Sequence, residues 1–122
     1  DTAFFIFRHL YERMEKEKFL YGMAGACKSL ASCHYGNSLD STLFYDLKSI
    51  ELYRKANCID EMNRVRRNLG LAYWKLGRIK EAIANSEELV DYFHKTGDKL
   101  REASEHENLG TYYIDSKEYA RA

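Results

Sequence analysis

Residues 68–73 read Asn-Leu-Gly-Leu-Ala-Tyr, and residues 108–113 read Asn-Leu-Gly-Thr-Tyr-Tyr, a shift of 108 − 68 = 40 positions. A period of that size holds two helices and two turns. It describes an array of repeated helix pairs rather than an enzyme domain built around one centre. The echo extends on both sides. Leu76-Gly77-Arg78-Ile79-Lys80-Glu81-Ala82-Ile83 follows the first block, and Ser116-Lys117-Glu118-Tyr119-Ala120-Arg121-Ala122 follows the second. Lys55-Ala56-Asn57-Cys58-Ile59 precedes the first at the offset where Lys95-Thr96-Gly97-Asp98-Lys99 precedes the second.

Apolar spacing gives the same answer independently. Leu69, Ala72, Tyr73 and Leu76 follow i, i+3, i+4, i+7, and Ile79, Ala82, Ile83, Ser86, Val90 and Phe93 continue on a helical face. Leu39, Leu43, Leu47, Ile50 and Tyr53 form a third stripe; Phe4, Phe7, Leu10, Tyr11 and Met14 form a fourth. The spacing predicts helices over 2–16, 18–36, 39–56, 58–76, 78–96 and 98–115, with a seventh starting at 117. Gly36-Asn37 and Gly77 fall between helices. Asn57 and Gly97 suit the left-handed residue that ends a helix, and Asp98 suits the N-cap of the next. There is no proline, so these residues alone must end the helices.

The Leu-Gly pair, the aromatic four residues after the Leu, the turn Gly and the small residue opening the second helix resemble the tetratricopeptide repeat, in its longer variety of about forty residues per unit. Leu69, Gly70, Tyr73, Gly77 and Ala82 fill these slots. Leu109, Gly110, Tyr113 and Ala122 fill them in the next unit, with Lys117 in place of the turn Gly. A weaker unit places Leu30, Ala31, His34 and Leu43 there, at a shift of 69 − 30 = 39. The resemblance implies an all-α fold: an α-solenoid of antiparallel helix pairs wound into a right-handed superhelix. The chain divides into a half repeat (1–16), repeats over 18–56 and 58–96, and a half repeat (98–122). Phe4, Phe5 and Phe7 leave the first helix bare, and Ala122 falls at the opening of a second helix. A solenoid needs polar caps, so we expect a segment of a longer array whose uncapped ends self-associate.

Composition narrows the role. Lys plus Arg and Asp plus Glu are both 19, which gives no electrostatic reason to expect nucleic acid or an anionic membrane. The apolar opening is short and broken by Arg8 and His9, unlike a signal peptide. Three cysteines at unpatterned spacings read as free thiols, which points to the cytoplasm. Cys27 and His34 share a helix face but lie about 10 Å apart along its axis, too far for one ion. Cys33 and His34 are adjacent and diverge. His106 between Glu105 and Glu107, and His94 near Asp91, have no nucleophile at a matching spacing. Tyr73, Trp74, Tyr112 and Tyr113 lack the cationic track that a base-stacking surface uses. We therefore expect no enzyme activity, no metal and no cofactor.

The resemblance places the first helix of each unit on the inside of the superhelix. Asn68, Leu71 and Trp74, then Asn108, Thr111 and Ile114, and in the weaker unit Ser29, Ser32 and Tyr35, are then expected to face a groove. An Asn carboxamide donates and accepts at once, so Asn68 and Asn108 can clamp a peptide backbone. Arg64 and Arg67 flank them and favour an acidic partner, while Trp74, Leu71 and Tyr35 offer apolar anchors. The basic clamp for chaperone tails is not preserved: Lys28 fills its first slot, but Ser32 and Ser104 stand where Asn and Lys belong. The expected function is a protein–protein interaction scaffold or adaptor binding a peptide or helix in the groove. Two alternatives stay open: a peptide-sensing domain of a bacterial signalling or transcription regulator, and a purely architectural spacer in a large assembly.

Overall fold

The computed structural model describes the backbone of residues 2–17 and 19–121, and the side chains of 2–13 and 19–117. The helices are α1 (Thr2–Glu17), α2 (Leu20–His34), α3 (Leu39–Lys55), α4 (Ile59–Lys75), α5 (Ile79–Thr96) and α6 (Lys99–Arg121). Among the described residues there is no strand, and the protein is all-α. The expected boundaries hold to within about two residues, with one exception. No seventh helix begins at 117, because α6 runs through Ser116 and Lys117 to Arg121. Met14 of the fourth stripe, and Ala122 of the second unit, lie outside the described side chains.

Backbone conformation at the turns explains the exception. Asn57, Gly77 and Gly97 take positive φ angles of 60°, 77° and 75°. After each, an amide reaches back five residues: Cys58 to the Tyr53 carbonyl at 2.9 Å, Arg78 to Tyr73 at 2.8 Å, Asp98 to Phe93 at 2.9 Å. This is the bond that closes a helix on a left-handed residue. The three positions are evenly spaced, since 77 − 57 and 97 − 77 are both 20. The next position in the series is Lys117. A residue with a Cβ takes the left-handed conformation at a cost of about 1–2 kcal/mol, and there the helix continues. The α2–α3 connection turns differently: the Asn37 and Ser38 amides both reach the His34 carbonyl. Ser38 then caps α3, its Oγ accepting from the Ser41 amide at 3.2 Å. Asp98 caps α6 through Oδ1, which accepts from the Arg101 amide at 3.2 Å.

Each helix packs chiefly on its neighbours in sequence. Small residues Ala24, Ala26 and Ala31 are buried along α2 and let α3 come close. Thr42 donates its hydroxyl to the Ala31 carbonyl at 3.1 Å, and Ser49 donates to Ala24 at 2.8 Å. Leu43, Ile50, Leu52 and Tyr53 of α3 join Met23 and Cys27 of α2 and Met62, Val65 and Leu69 of α4 in one core. Burying side chains of this size contributes about 1.5–3 kcal/mol each. Ile79, Ala82 and Tyr112 form a second cluster between α5 and α6, against Tyr73 and Trp74. Alternate helices also meet. The Lys48 ammonium lies 4.6 Å from the Tyr11 ring centre, joining α3 to α1, and Lys75 lies 4.6 Å from Tyr35, joining α4 to α2.

One stripe departs from expectation. Leu47 is 47% exposed, whereas Asp46 is 2% exposed. Asp46 falls three residues after Leu43 and four before Ile50, so it takes the inward position. No helix of the described residues is long and apolar enough to cross a membrane.

Candidate functional site

Asn68 and Leu71 on α4 border two hollows. The first, about 400 Å³, is lined by Ala31, Ser32 and Tyr35 of α2, Thr42 and Asp46 of α3, and Asn68 and Leu71 of α4. The second, about 300 Å³, is lined by Arg64, Arg67, Asn68 and Leu71 of α4 with Arg101 and Asn108 of α6. The fold thus brings together Tyr35, Ser32, Asn68 and Leu71 in one hollow and Arg64, Arg67, Asn68, Leu71 and Asn108 in the other. Trp74, Thr111, Ile114 and Ser29 are outside both linings.

Trp74 is engaged internally. Its indole N–H donates to Asp115 Oδ2 at 2.5 Å, and its ring lies tilted against Tyr112 with centroids 6.1 Å apart. The Thr111 hydroxyl donates to the Glu107 carbonyl at 3.2 Å on the exposed side of α6. Ile114 is exposed.

The arginines are also partnered. Arg64 Nη2 lies 3.0 Å from Asp60 Oδ2, with both side chains about half exposed. A surface pair of this kind contributes about 0–1 kcal/mol, and Arg64 can exchange it for another anion at little cost. Arg67 is held more firmly: Nη2 donates to Ser104 Oγ at 2.8 Å and Nε lies 3.4 Å from Glu105 Oε2. Arg101 is paired with Asp98 at 2.5 Å. The second hollow therefore carries guanidinium groups whose charge is largely answered from within.

The residue that sequence reasoning passed over is Asp46. Its Oδ2 is buried with no hydrogen-bond partner. Burial pushes its carboxyl up to about 7, partly offset by the positive charge of Lys28. The signal was present as a carboxylate set on the apolar stripe Leu43, Asp46, Ile50, Tyr53. Tyr112 has a similar orphan: its hydroxyl is buried and unbonded, and burial beside Glu105 pushes it up to about 12.

Cys27 and His34 pack as side chains, whereas His94 and His106 lie at the surface. Cys27 is fully buried, and burial raises its thiol to about 11, which suppresses the thiolate. The His34 ring sits edge-on to Phe4 at 4.6 Å and stacks on Tyr45 at 5.7 Å. His94 turns from Asp91 to Glu102, with Nδ1 3.1 Å from Oε2, and Asp91 pairs with Lys95 instead. His106 is exposed, 3.8 Å from the same Glu102 oxygen.

No protein-family model matches the chain, and no curated protein matches it.

Proposed function

We propose that this chain is a protein-interaction module: an α-solenoid of helix pairs, like the long tetratricopeptide repeats it resembles, that holds an extended peptide or a helix of its partner. One observation carries the reading. Asn68 and Leu71 border both hollows, and Asn108 borders the second, so carboxamides of α4 and α6 line one continuous stretch next to apolar surface. Asn68 is exposed and Asn108 half-buried, and each has donors and an acceptor to offer a peptide backbone. Apolar contact comes from Leu71 and Tyr35. Arg64, with its replaceable surface partner, is the cation best able to meet a carboxylate; Arg67 is committed to Glu105. Trp74 and Thr111 lie outside both hollows and are not assigned to the ligand. The role is binding, without a catalytic step.

The test compares proteins captured by the chain with those captured by its Asn68→Ala/Asn108→Ala double variant, with circular dichroism confirming that the variant stays helical. A partner lost with the folded variant supports binding between the hollows. An unchanged set of partners contradicts it and leaves the outer face or an architectural role.

A further inference from the structure

We propose that the hollow between α2, α3 and α4 receives a lysine side chain of the partner, whose ammonium bonds Asp46 while its alkyl stem lies against Ala31, Tyr35 and Leu71. The proposal rests on the peptide-binding reading and specifies the partner's chemistry at one position.

The argument begins with the missing donor. Asp46 is 2% exposed and its Oδ2 accepts no hydrogen bond. Folded proteins leave few buried polar atoms in that condition, because each loses its hydrogen bond to water without replacement. No hydrogen bond reaches Oδ2 from Tyr35 or Asn68, which share its hollow. Thr42 and Ser32, which line the same hollow, give their single hydroxyl protons to the Ala31 and Lys28 carbonyls. Lys28 is exposed, and no ion pair joins it to Asp46. Asp46 thus lines a hollow that can admit a donor from outside.

Size and lining then select the donor. About 400 Å³ accommodates a long side chain with room for water. Ala31, Leu71 and the Tyr35 ring suit methylene groups, in the way that a lysine buries its stem and keeps its head polar. A guanidinium is served best by two open carboxylate oxygens in a fork, whereas Asp46 is only 2% exposed. An ammonium is a compact point donor and matches it. Burial leaves Asp46 about half protonated at pH 7, and an incoming cation shifts it toward its charged form. Asn68 at the rim is placed to hold the backbone that carries the lysine.

The probe is the blocked pentapeptide acetyl-Ala-Ala-Lys-Ala-Ala-amide, titrated into the isotope-labelled 122-residue chain and followed by amide NMR shifts. Counterparts carrying norleucine or arginine at the centre are compared. The lysine peptide is expected to bind about tenfold tighter than the norleucine peptide, moving the amides of Ala31, Asp46 and Leu71, with arginine between the two. Asp46→Asn, nearly isosteric and uncharged, is expected to lower lysine affinity to the norleucine level while leaving norleucine binding unchanged. Retention of the lysine preference in Lys28→Ala supports Asp46 as its source. Equal binding of lysine and norleucine, or a lysine preference that survives Asp46→Asn, overturns the lysine site. If Asn68 and Asn108 amides still move in that case, the peptide-binding reading stands. No shift with any peptide up to about 10 mM, a free energy weaker than about 3 kcal/mol, overturns both.

Discussion

Arg67 on α4 and Glu105 on α6 meet with Nε 3.4 Å from Oε2, although 38 residues separate them in sequence. Glu105 is 1% exposed and also accepts the Ser86 hydroxyl from α5. One carboxylate therefore fastens three helices. Its removal leaves Arg67 and Ser86 without an acceptor, and Arg67 is about one-third exposed, so water relieves part of that loss. Glu105→Ala is expected to lower stability by about 2–3 kcal/mol, measured as the midpoint shift in urea unfolding. A change below about 0.5 kcal/mol, the size of an ordinary surface substitution, contradicts this role.

Equivalent glycines in the two copies of the Asn-Leu-Gly segment respond oppositely to alanine. A Cβ at Gly70 would sit 3.0 Å from Asn85 Nδ2. Asn85 cannot easily move, since Nδ2 donates to the Arg66 carbonyl at 2.7 Å and Oδ1 accepts from Arg66 Nε at 3.0 Å. A Cβ at Gly110 meets nothing within 4 Å. Gly110→Ala is expected to stabilise by about 0.5–1 kcal/mol through helix propensity. Gly70→Ala is expected to destabilise by about 1–2 kcal/mol as the clash outweighs the same gain. Thermal melts of the two variants decide it; a shift of the same sign in both sinks the explanation.

Asp46 gives the protein a pH signature. Its carboxyl is raised from 3.8 to about 7 in the folded state, so between those values the native chain holds a proton that the unfolded chain releases. Stability from this group is then highest below about pH 4, falls as pH rises, and levels off above about 7. The span is on the order of a few kcal/mol. Lys28 on α2 already offsets part of it, and α4 presents the uncharged Asn68 and Leu71 to the same hollow. Asp46→Asn is expected to be more stable than the parent at pH 8, with the advantage shrinking toward pH 5. Urea midpoints of both proteins at the two pH values test this, since all other titrating groups are common to both. A pH-independent difference contradicts the burial account.

The helices could be read from the sequence because apolar period and turn residues agree. Leu69, Ala72 and Leu76 mark the face of α4 that points inward, and Asn57, Gly77 and Gly97 mark three turns. The end of α6 departs from the repeat pattern, which sets Lys117 in a turn slot, because a lysine gives the chain no reason to turn. Leu47 was counted with the core from its spacing alone. Some shared placement was visible: Asn68, Leu71, Asn108 and Tyr35 border hollows. Their electrostatics were not visible, because the partners of Arg67 and Trp74 are Glu105 and Asp115, on another helix at separations that no local spacing rule reaches. Asp46 was missed for a different reason. Charged residues are normally assigned to the solvated face, and only its place between Leu43 and Ile50 argued otherwise.

The central claim is that a partner lies across α2, α4 and α6 at Asn68 and Asn108. Photo-crosslinking amino acids placed one at a time at Leu71 and Arg101, which line the hollows, and at Lys80 and Ala84, on α5 outside both, test it most directly. The account predicts that a captured partner crosslinks from positions 71 and 101 and not from 80 or 84, and that the Asn68→Ala/Asn108→Ala changes abolish the crosslink. Crosslinks from 80 and 84 with none from 71 contradict it.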